Sequence, residues 1–347
     1  MIEEGEYNYM VCTQCMTYNH SLYILDTLKG FAIQQTSFPM VFCIIDDASS
    51  DGEPDILKQW ANENLVTNEK DEKAQFSEMP YGEMCFSYHK DNRNAFFAIL
   101  LLSENHYQAG KSDLKLTYIE EWMRSSKYHA LCEGDDFWIS SEKLRLQVDF
   151  MESNPDYVLC HTDFDLSDGK PRNHNVLKTI DDVYFPACII SGIHIGTATT
   201  LMRADTYDRL PRLNEGKPWP MGDYPMWIEM SREGKFKYFN EVTACYRVVQ
   251  QSASHGSLEK EIAFANAAVD IRRFYAKYYN IVLPDNGLNK SYFVSIMKCA
   301  YKYKSKEVAK ACVKSSFNNR KMSLKLLIFY FATYSSAFDK LLKLIWS

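Results

Sequence analysis

The apolar positions of the first 62 residues alternate between unbroken runs and spaced faces. Tyr9–Cys15 is a short, nearly continuous apolar run and predicts a buried strand, followed by a polar break over Met16-Thr17-Tyr18-Asn19-His20. Ser21 is placed to cap a helix running to about Gln35, with Leu22, Leu25, Leu28 and Ala32 on one face and Gly30 weakening it slightly. Met40–Ile45 is wholly apolar, as expected of a parallel strand covered on both sides. It ends in Asp46-Asp47-Ala48-Ser49-Ser50-Asp51-Gly52, and a helix over about 53–62 follows. Strand, helix, strand, helix is the opening of a doubly wound α/β domain, in which ligands sit beyond the carboxyl ends of the strands.

Residues 63–113 read as an expanded, polar loop-and-helix region, and a helix over about 116–126 leads into a strand at Tyr128–Cys132. A helix over 142–152 buries Leu144, Val148 and Met151, and Tyr157–His161 is a strand. Residues 166–185 are loop-like. The stretch 193–203 is β-rich, Asp223 can cap a helix, and Phe236–Phe239 and Val242–Val249 read as two strands. From about Leu258 the pattern is helical to the end of the chain, with a break at Pro284-Asp285-Asn286-Gly287.

The strand at 128–132 ends in Glu133-Gly134-Asp135-Asp136, three carboxylates within four residues. Such crowding is costly without a positive partner, and a hard divalent cation bridging to phosphate oxygens is one that fits. A turn or a helix cap is the plain alternative. Gly134 allows the backbone to turn and to approach closely.

Charge changes the picture at the far end. The net charge is −6, yet residues 284–347 hold 12 Lys+Arg against 3 Asp+Glu, a net +9, so residues 1–283 carry −15. The acidic body argues against nucleic acid as a partner. The basic, apolar tail, closing on Leu341-Leu342-Lys343-Leu344-Ile345-Trp346, suits an anionic membrane surface; a helical appendage packed on the rest of the chain or on a second subunit is the alternative. Ten cysteines lie mostly within apolar runs and read as reduced core thiols, and Cys12-Thr13-Gln14-Cys15 as a structural pair without a second zinc pair. The acidic start does not read as a secretory signal, and no apolar run is long enough to span a bilayer. The expectation is a cytoplasmic protein, able to touch the inner face of the cytoplasmic membrane through its C-terminal region.

Five motifs in order resemble the inverting nucleotide-sugar glycosyltransferases of the large bacterial family 2. They are Thr17-Tyr18-Asn19-His20; Ile44-Ile45-Asp46-Asp47 through Gly52; Glu133 through Trp138 with Lys143-Leu144 and Gln147; Gly222-Asp223 before Trp227; and Tyr246-Arg247 leading to Ser252 through His255. The resemblance covers roughly residues 8–255. It implies a GT-A fold, Rossmann-like, with a mostly parallel central sheet flanked by helices and a C-terminal helical appendage. It divides the chain into a catalytic domain at 1–257 and a helical region at 258–347. The implied activity is metal-dependent transfer of a sugar from a nucleoside diphosphate, UDP by preference, to a hydroxyl of a glycan or lipid-linked acceptor in surface-polysaccharide synthesis.

The resemblance also implies roles. Thr17, Tyr18 and Asn19 hold the nucleotide, Asp47 accepts from the base, and Asp46 braces the loop. Asp135 ligates Mn2+ or Mg2+, and Glu133, in the place where Asp is usual, reaches the same ion directly or through water; Gly134 approaches the donor, and Asp136 orders the loop or touches the sugar. Asp223 is the catalytic base, although an acid more often precedes it than Gly222. Arg247 pairs with the diphosphate, with Ser252 and His255 in a covering loop. Asn105 and Lys111 face the donor in a variant of the family, or else belong to a surface helix start. Thr197-Ala198-Thr199 borders the acceptor. A catalytically silent nucleotide- or glycan-binding protein and a nucleotidyltransferase remain as alternatives; the second lacks its basic, glycine-rich phosphate loop here.

Overall fold

A computed structural model describes residues 7–67, 74–167, 177, 179–249 and 256–346. In chain order they form β1 (Tyr9–Thr17), α1 (Ile24–Ala32), β2 (Met40–Asp46), α2 (Glu53–Asn64), β3 (Ser77–Met79), β4 (Gly82–His89) and β5 (Asn92–Leu102). Then come α3 (Leu114–Tyr118), α4 (Glu120–Arg124), β6 (Ser126–Leu131), β7 (Phe137–Trp138), α5 (Lys143–Ser153), β8 (Tyr157–Leu166) and α6 (Ala187–Ser191). The chain continues through β9 (Thr200–Arg203), α7 (Ala204–Asp208), α8 (Asp223–Glu233), β10 (Lys235–Tyr246) and α9 (Leu258–Tyr278). It ends with α10 (Lys290–Lys302), α11 (Lys306–Asn318), α12 (Leu324–Tyr334) and α13 (Ser336–Trp346).

Two compact units divide these elements: residues 1–183, 194–210 and 233–248 in the first, and 184–193, 211–232 and 249–347 in the second. The first unit holds one ten-stranded sheet in the order β3-β4-β5-β2-β1-β6-β9-β8-β10-β7. Its centre, β5-β2-β1-β6, is parallel, as is β8 with β10, while the remaining neighbours are antiparallel. All seven residues of β2 are buried, because helices and loops cover both of its faces. Phe31, Phe42 and Trp138 meet at this core, with Phe31 and Phe42 stacked 4.7 Å apart.

Several sequence expectations are corrected. Region 63–113 is not loop and helix: it contains β3, β4 and β5, and β5 lies parallel beside β2. The helix expected at 116–126 is two short helices, α3 and α4. The paired strands expected at 236–249 are the single strand β10, irregular between Tyr238 and Val242. The β-rich stretch 193–203 is a 3-10 turn at Thr197–Thr199 followed by β9.

Helix α1 begins at Ile24 rather than after Ser21, whose backbone N–H goes to Asp51 Oδ2 at 2.9 Å. Its buried face is therefore Ile24, Thr27, Leu28 and Phe31, and Leu22 and Leu25 are exposed. Gly30 has a packing reason: a Cβ there would lie 2.7 Å from the carbonyl oxygen of Trp138.

The second unit is helical. Ser257, Asn289, Ser305 and Ser323 each accept a backbone N–H from the first turn of the helix they precede. Phe293, Met297, Ala300, Leu326, Phe329 and Ala332 form its core. Glu229 on α8 accepts from the backbone of Arg212 and Leu213 and from the Tyr275 hydroxyl on α9. All ten cysteines are buried and none is in a disulfide. No helix among the described residues is long and apolar enough to cross a membrane.

Candidate active site

Parallel strands deliver their carboxyl ends to one edge of the sheet. Thr17 at the end of β1 lies opposite Asp46 at the end of β2, and Gln14 opposite Leu131 at the end of β6. The ladder then runs on into the loops. Asp47 N–H donates to Thr17 O at 3.0 Å, Cys132 N–H to Gln14 O at 3.1 Å, and Gly134 N–H to Met16 O at 3.0 Å. The loops at 17–20, 46–53 and 132–136 are thereby held together, and β10 brings Arg247 to the same edge.

Glu53, at the start of α2, is the buried hub of the first two loops. Its carboxylate accepts from the Thr17 hydroxyl, from His20 N–H at 2.8 Å and from Ser49 Oγ at 3.0 Å. Burial pushes its pKa up to about 7 against the opposing pull of those donors. Sequence reading took Glu53 only as a helix start; its signal, an acid one residue after Asp-Gly at a strand end, was overlooked. Asn19 adopts a left-handed φ of 56°, accepts from Ser50 N–H at 2.9 Å and donates its own N–H to Ser49 Oγ at 2.8 Å. Tyr18, between them, is exposed.

Asp46 and Asp47 part company at the strand end. Asp46 is buried and accepts Ser49 N–H at 3.1 Å through one oxygen, while its other oxygen meets no donor. Asp47 takes His106 N–H at 2.7 Å, Tyr107 N–H at 3.1 Å and the Lys115 ammonium at 2.8 Å. Burial raises the Asp47 pKa, but Lys115 and the two N–H groups more than offset it, and the net direction is down. The segment after β5 is thus pinned to the strand end by Lys115, which sequence reading did not single out. Of the two residues it did, Lys111 pairs with Glu104, and Asn105 Oδ1 accepts Gln108 N–H at 2.7 Å.

The acidic loop sits tightly against these. Gly134 is required by the approach of the first loop, since a Cβ on it would lie 2.2 Å from Thr17 Oγ1 and 3.1 Å from His20 Nδ1. From α1, the Thr27 hydroxyl reaches the carbonyls of Gly134 at 3.0 Å and Asp136 at 2.6 Å. Glu133 Oε2 accepts from Thr197 at 2.8 Å. Asp135 Oδ2 faces His20 Nε2 at 4.0 Å, both side chains about one-fifth exposed.

Asp136 is buried and accepts Arg247 N–H at 2.8 Å. Burial, then the neighbouring Glu133 and Asp135, push its pKa up to about 8. The Arg247 guanidinium lies over the rings of Tyr23 and Phe137, donates to Asp135 O at 3.0 Å and pairs with Asp26 at 2.6 Å. Ser252 and His255 lie outside the described residues.

Asp223 belongs to the second unit, where it opens α8 beside Tyr224, whose hydroxyl donates to Cys188 O at 3.0 Å. Its side chain keeps some access to solvent. Desolvation nevertheless raises its pKa, outweighing the hydrogen bonds from the backbone at Tyr224 and Asp223.

The donors present fit a divalent cation in one manner. Among the described residues no three His, Cys, Asp or Glu side chains are arranged to hold a metal by themselves. Asp135 offers a carboxylate about one-fifth exposed, its Oδ2 facing His20 Nε2 at 4.0 Å. One or two carboxylates completed by phosphate oxygens is how Mg2+-like ions are usually held.

No family model matches the sequence. Uncharacterised proteins of Mycobacterium tuberculosis and Mycobacterium bovis are 29% identical over 145 residues, 42% of this chain. The match spans 32% of the length of those relatives. Among solved structures, a mannosyltransferase of Pyrobaculum calidifontis in complex with GDP-Man and Mn2+ superposes with a TM-score of 0.50 at 13% identity. That likeness covers 97% of this chain and 84% of the other. The fold is that of a glycosyltransferase. S. aureus TarS 1–349 in complex with UDP is also similar, with a TM-score of 0.48 at 13% identity, over 96% of this chain and 83% of that one. The expected GT-A-like α/β architecture with C-terminal helices is thus the one present.

Proposed function

We propose that the chain is a metal-dependent, inverting glycosyltransferase that moves a sugar from a nucleoside diphosphate, UDP by preference, to a hydroxyl of a glycan or lipid-linked acceptor of a bacterial surface polysaccharide. The observation that carries the reading is the convergence of the 17–20, 46–53 and 132–136 loops and Arg247 at the carboxyl edge of a parallel sheet, the place where such folds take ligands. GDP-Man and Mn2+ in the mannosyltransferase of like fold are consistent with it.

In this reading residues 1–257 hold the reaction, and 258–347 are a helical region that meets a lipid surface. Thr17, Tyr18 and Asn19 bind the nucleotide, Glu53 keeps their loop in place, and Asp47 offers its remaining lone-pair capacity to the base. Asp135 is the cation's carboxylate ligand; Glu133 and Asp136 set the charge around it, and Gly134 lets the loop close on Thr17. When bound, Mn2+ or Mg2+ neutralises charge on the leaving diphosphate.

Asp223 takes the proton of the acceptor hydroxyl as its oxygen bonds to the anomeric carbon and the bond to the diphosphate breaks. Burial raises its pKa, which makes the carboxylate a stronger base than a solvated one. Inversion needs this one carboxylate and no sugar–enzyme intermediate.

The test begins with a thermal-shift screen of nucleotide sugars with and without Mn2+, followed by a transfer assay on the best donor. Asp223→Asn is expected to keep nucleotide affinity and lose transfer about 10²–10⁴-fold. Normal transfer by that variant assigns the base elsewhere. Nucleotide binding without transfer or donor hydrolysis by the parent chain leaves a silent binding protein instead.

A further inference from the structure

The Thr17 hydroxyl stands between two partners. It donates to Glu53 Oε1, and the same oxygen lies 3.1 Å from His20 Nδ1. A hydroxyl has one proton to give. With that proton on the carboxylate side, Thr17 accepts from His20 Nδ1–H, and the lone pair of the neutral ring is on Nε2. Nε2 is the atom that faces Asp135 Oδ2, 4.0 Å away. That separation is too long for a hydrogen bond. It suits two atoms sharing one ion, because donors about 2.1–2.2 Å from a cation lie roughly 3–4 Å apart.

His20 is held through its backbone and through one ring nitrogen. His20 N–H is fixed by Glu53 Oε2 at 2.8 Å, and Nδ1 by Thr17. Gly134 is what admits the ring at this point, since a Cβ there would come within 3.1 Å of Nδ1. Histidine ligands characteristically give their other N–H to an oxygen that is itself hydrogen-bonded, which fixes tautomer and direction. The series Glu53, Thr17, His20 has that form.

We propose that His20 Nε2 is a second protein ligand, beside Asp135, of the cation at the diphosphate, and that this nitrogen makes the site favour Mn2+ over Mg2+. The proposal rests on the metal-dependent reading above. Mg2+ is bound almost wholly by oxygen, whereas imidazole suits transition ions.

The test is Mn2+ titration of the full chain with UDP present, followed by electron paramagnetic resonance, with Mg2+ as competitor. Nitrogen modulation of the Mn2+ electron-spin echo is expected in the parent protein and absent in His20→Ala. That variant should bind Mn2+ at least about tenfold more weakly. Its Mg2+ affinity should change less, so the preference between the ions narrows. Thr17→Val, which removes only the hydroxyl that sets the tautomer, should lie between the two.

An echo without nitrogen modulation, with Mn2+ affinity lost in Asp135→Asn but unchanged in His20→Ala, overturns the role of His20 and leaves the metal site standing. Nitrogen modulation that persists in His20→Ala also overturns it. Absence of Mn2+ binding by the parent protein with any nucleotide removes the metal-dependent reading itself.

Discussion

Lys143 is wholly buried, with its ammonium 4.3 Å from the centre of the Trp138 ring and 2.7 Å from Gln147 Oε1. No carboxylate is among those partners, and burial pushes its pKa down to about 7. The folded chain therefore holds this proton less tightly than the unfolded one. Its contribution to stability is fully present above the unfolded value of 10.5 and is lost as pH falls through 7. Between those values the slope from this residue alone is about 1.4 kcal/mol per pH unit. Urea unfolding of the parent and of Lys143→Met, compared at neutral and alkaline pH, should show the difference between them shrinking as pH rises. The variant also loses the Gln147 hydrogen bond, an offset of about 1 kcal/mol that does not vary with pH. Parallel pH profiles would mean that the lysine is already neutral at pH 7 or reaches water.

At the scale of elements, the tether from β2 to the segment after β5 is the most consequential local arrangement. Asp47 and Lys115 are 4% and 12% exposed, so removing one strands the other in poor solvent. Asp47→Ala is expected to cost about 3–5 kcal/mol and to speed hydrogen exchange over residues 103–115 first. Lys115→Met, which leaves Asp47 its two backbone donors, should cost less. Unchanged exchange in both variants would mean that the segment is held by its other contacts.

The same elements show what could be read beforehand. β1, β2, α2, α5 and the strand before Glu133 followed from apolar runs and 3.6-residue spacing. β5 did not, because Ala95–Leu102 is an unbroken apolar run, in which periodicity does not separate strand from helix. The face of α1 was misread because the helix begins at Ile24 and not after Ser21, which moves the buried face to Ile24, Thr27, Leu28 and Phe31. Carboxylates after strands marked the candidate site. The side chains that lock its loops together (Glu53, Thr27 and Lys115) did not stand out, since their partners are distant in sequence.

Across the whole molecule, positive charge is concentrated toward the C-terminus, where several apolar side chains are also exposed. Residues 284–347 carry +9 against −15 in the remainder. Leu324 and Phe331, seven residues apart on one side of α12, are 75% and 46% exposed, and the Phe331 ring meets that of exposed Phe338 at 5.4 Å. Neighbouring exposed apolar side chains in a basic helical region are what an interfacial lipid contact requires: the rings enter the headgroup layer while lysines add about 1 kcal/mol each near anionic lipid. Cosedimentation with phosphatidylglycerol-rich vesicles is expected at low salt, to weaken at high salt as the charges are screened, and to be poor with neutral vesicles. Leu324→Ser, Phe331→Ser and Phe338→Ser together should reduce binding without loss of UDP affinity, because these positions lie outside the buried core of the helices. Failure of the intact chain to bind anionic vesicles, or undiminished binding by the triple variant, would assign these residues to a protein contact and remove the lipid surface from the acceptor side of the reaction.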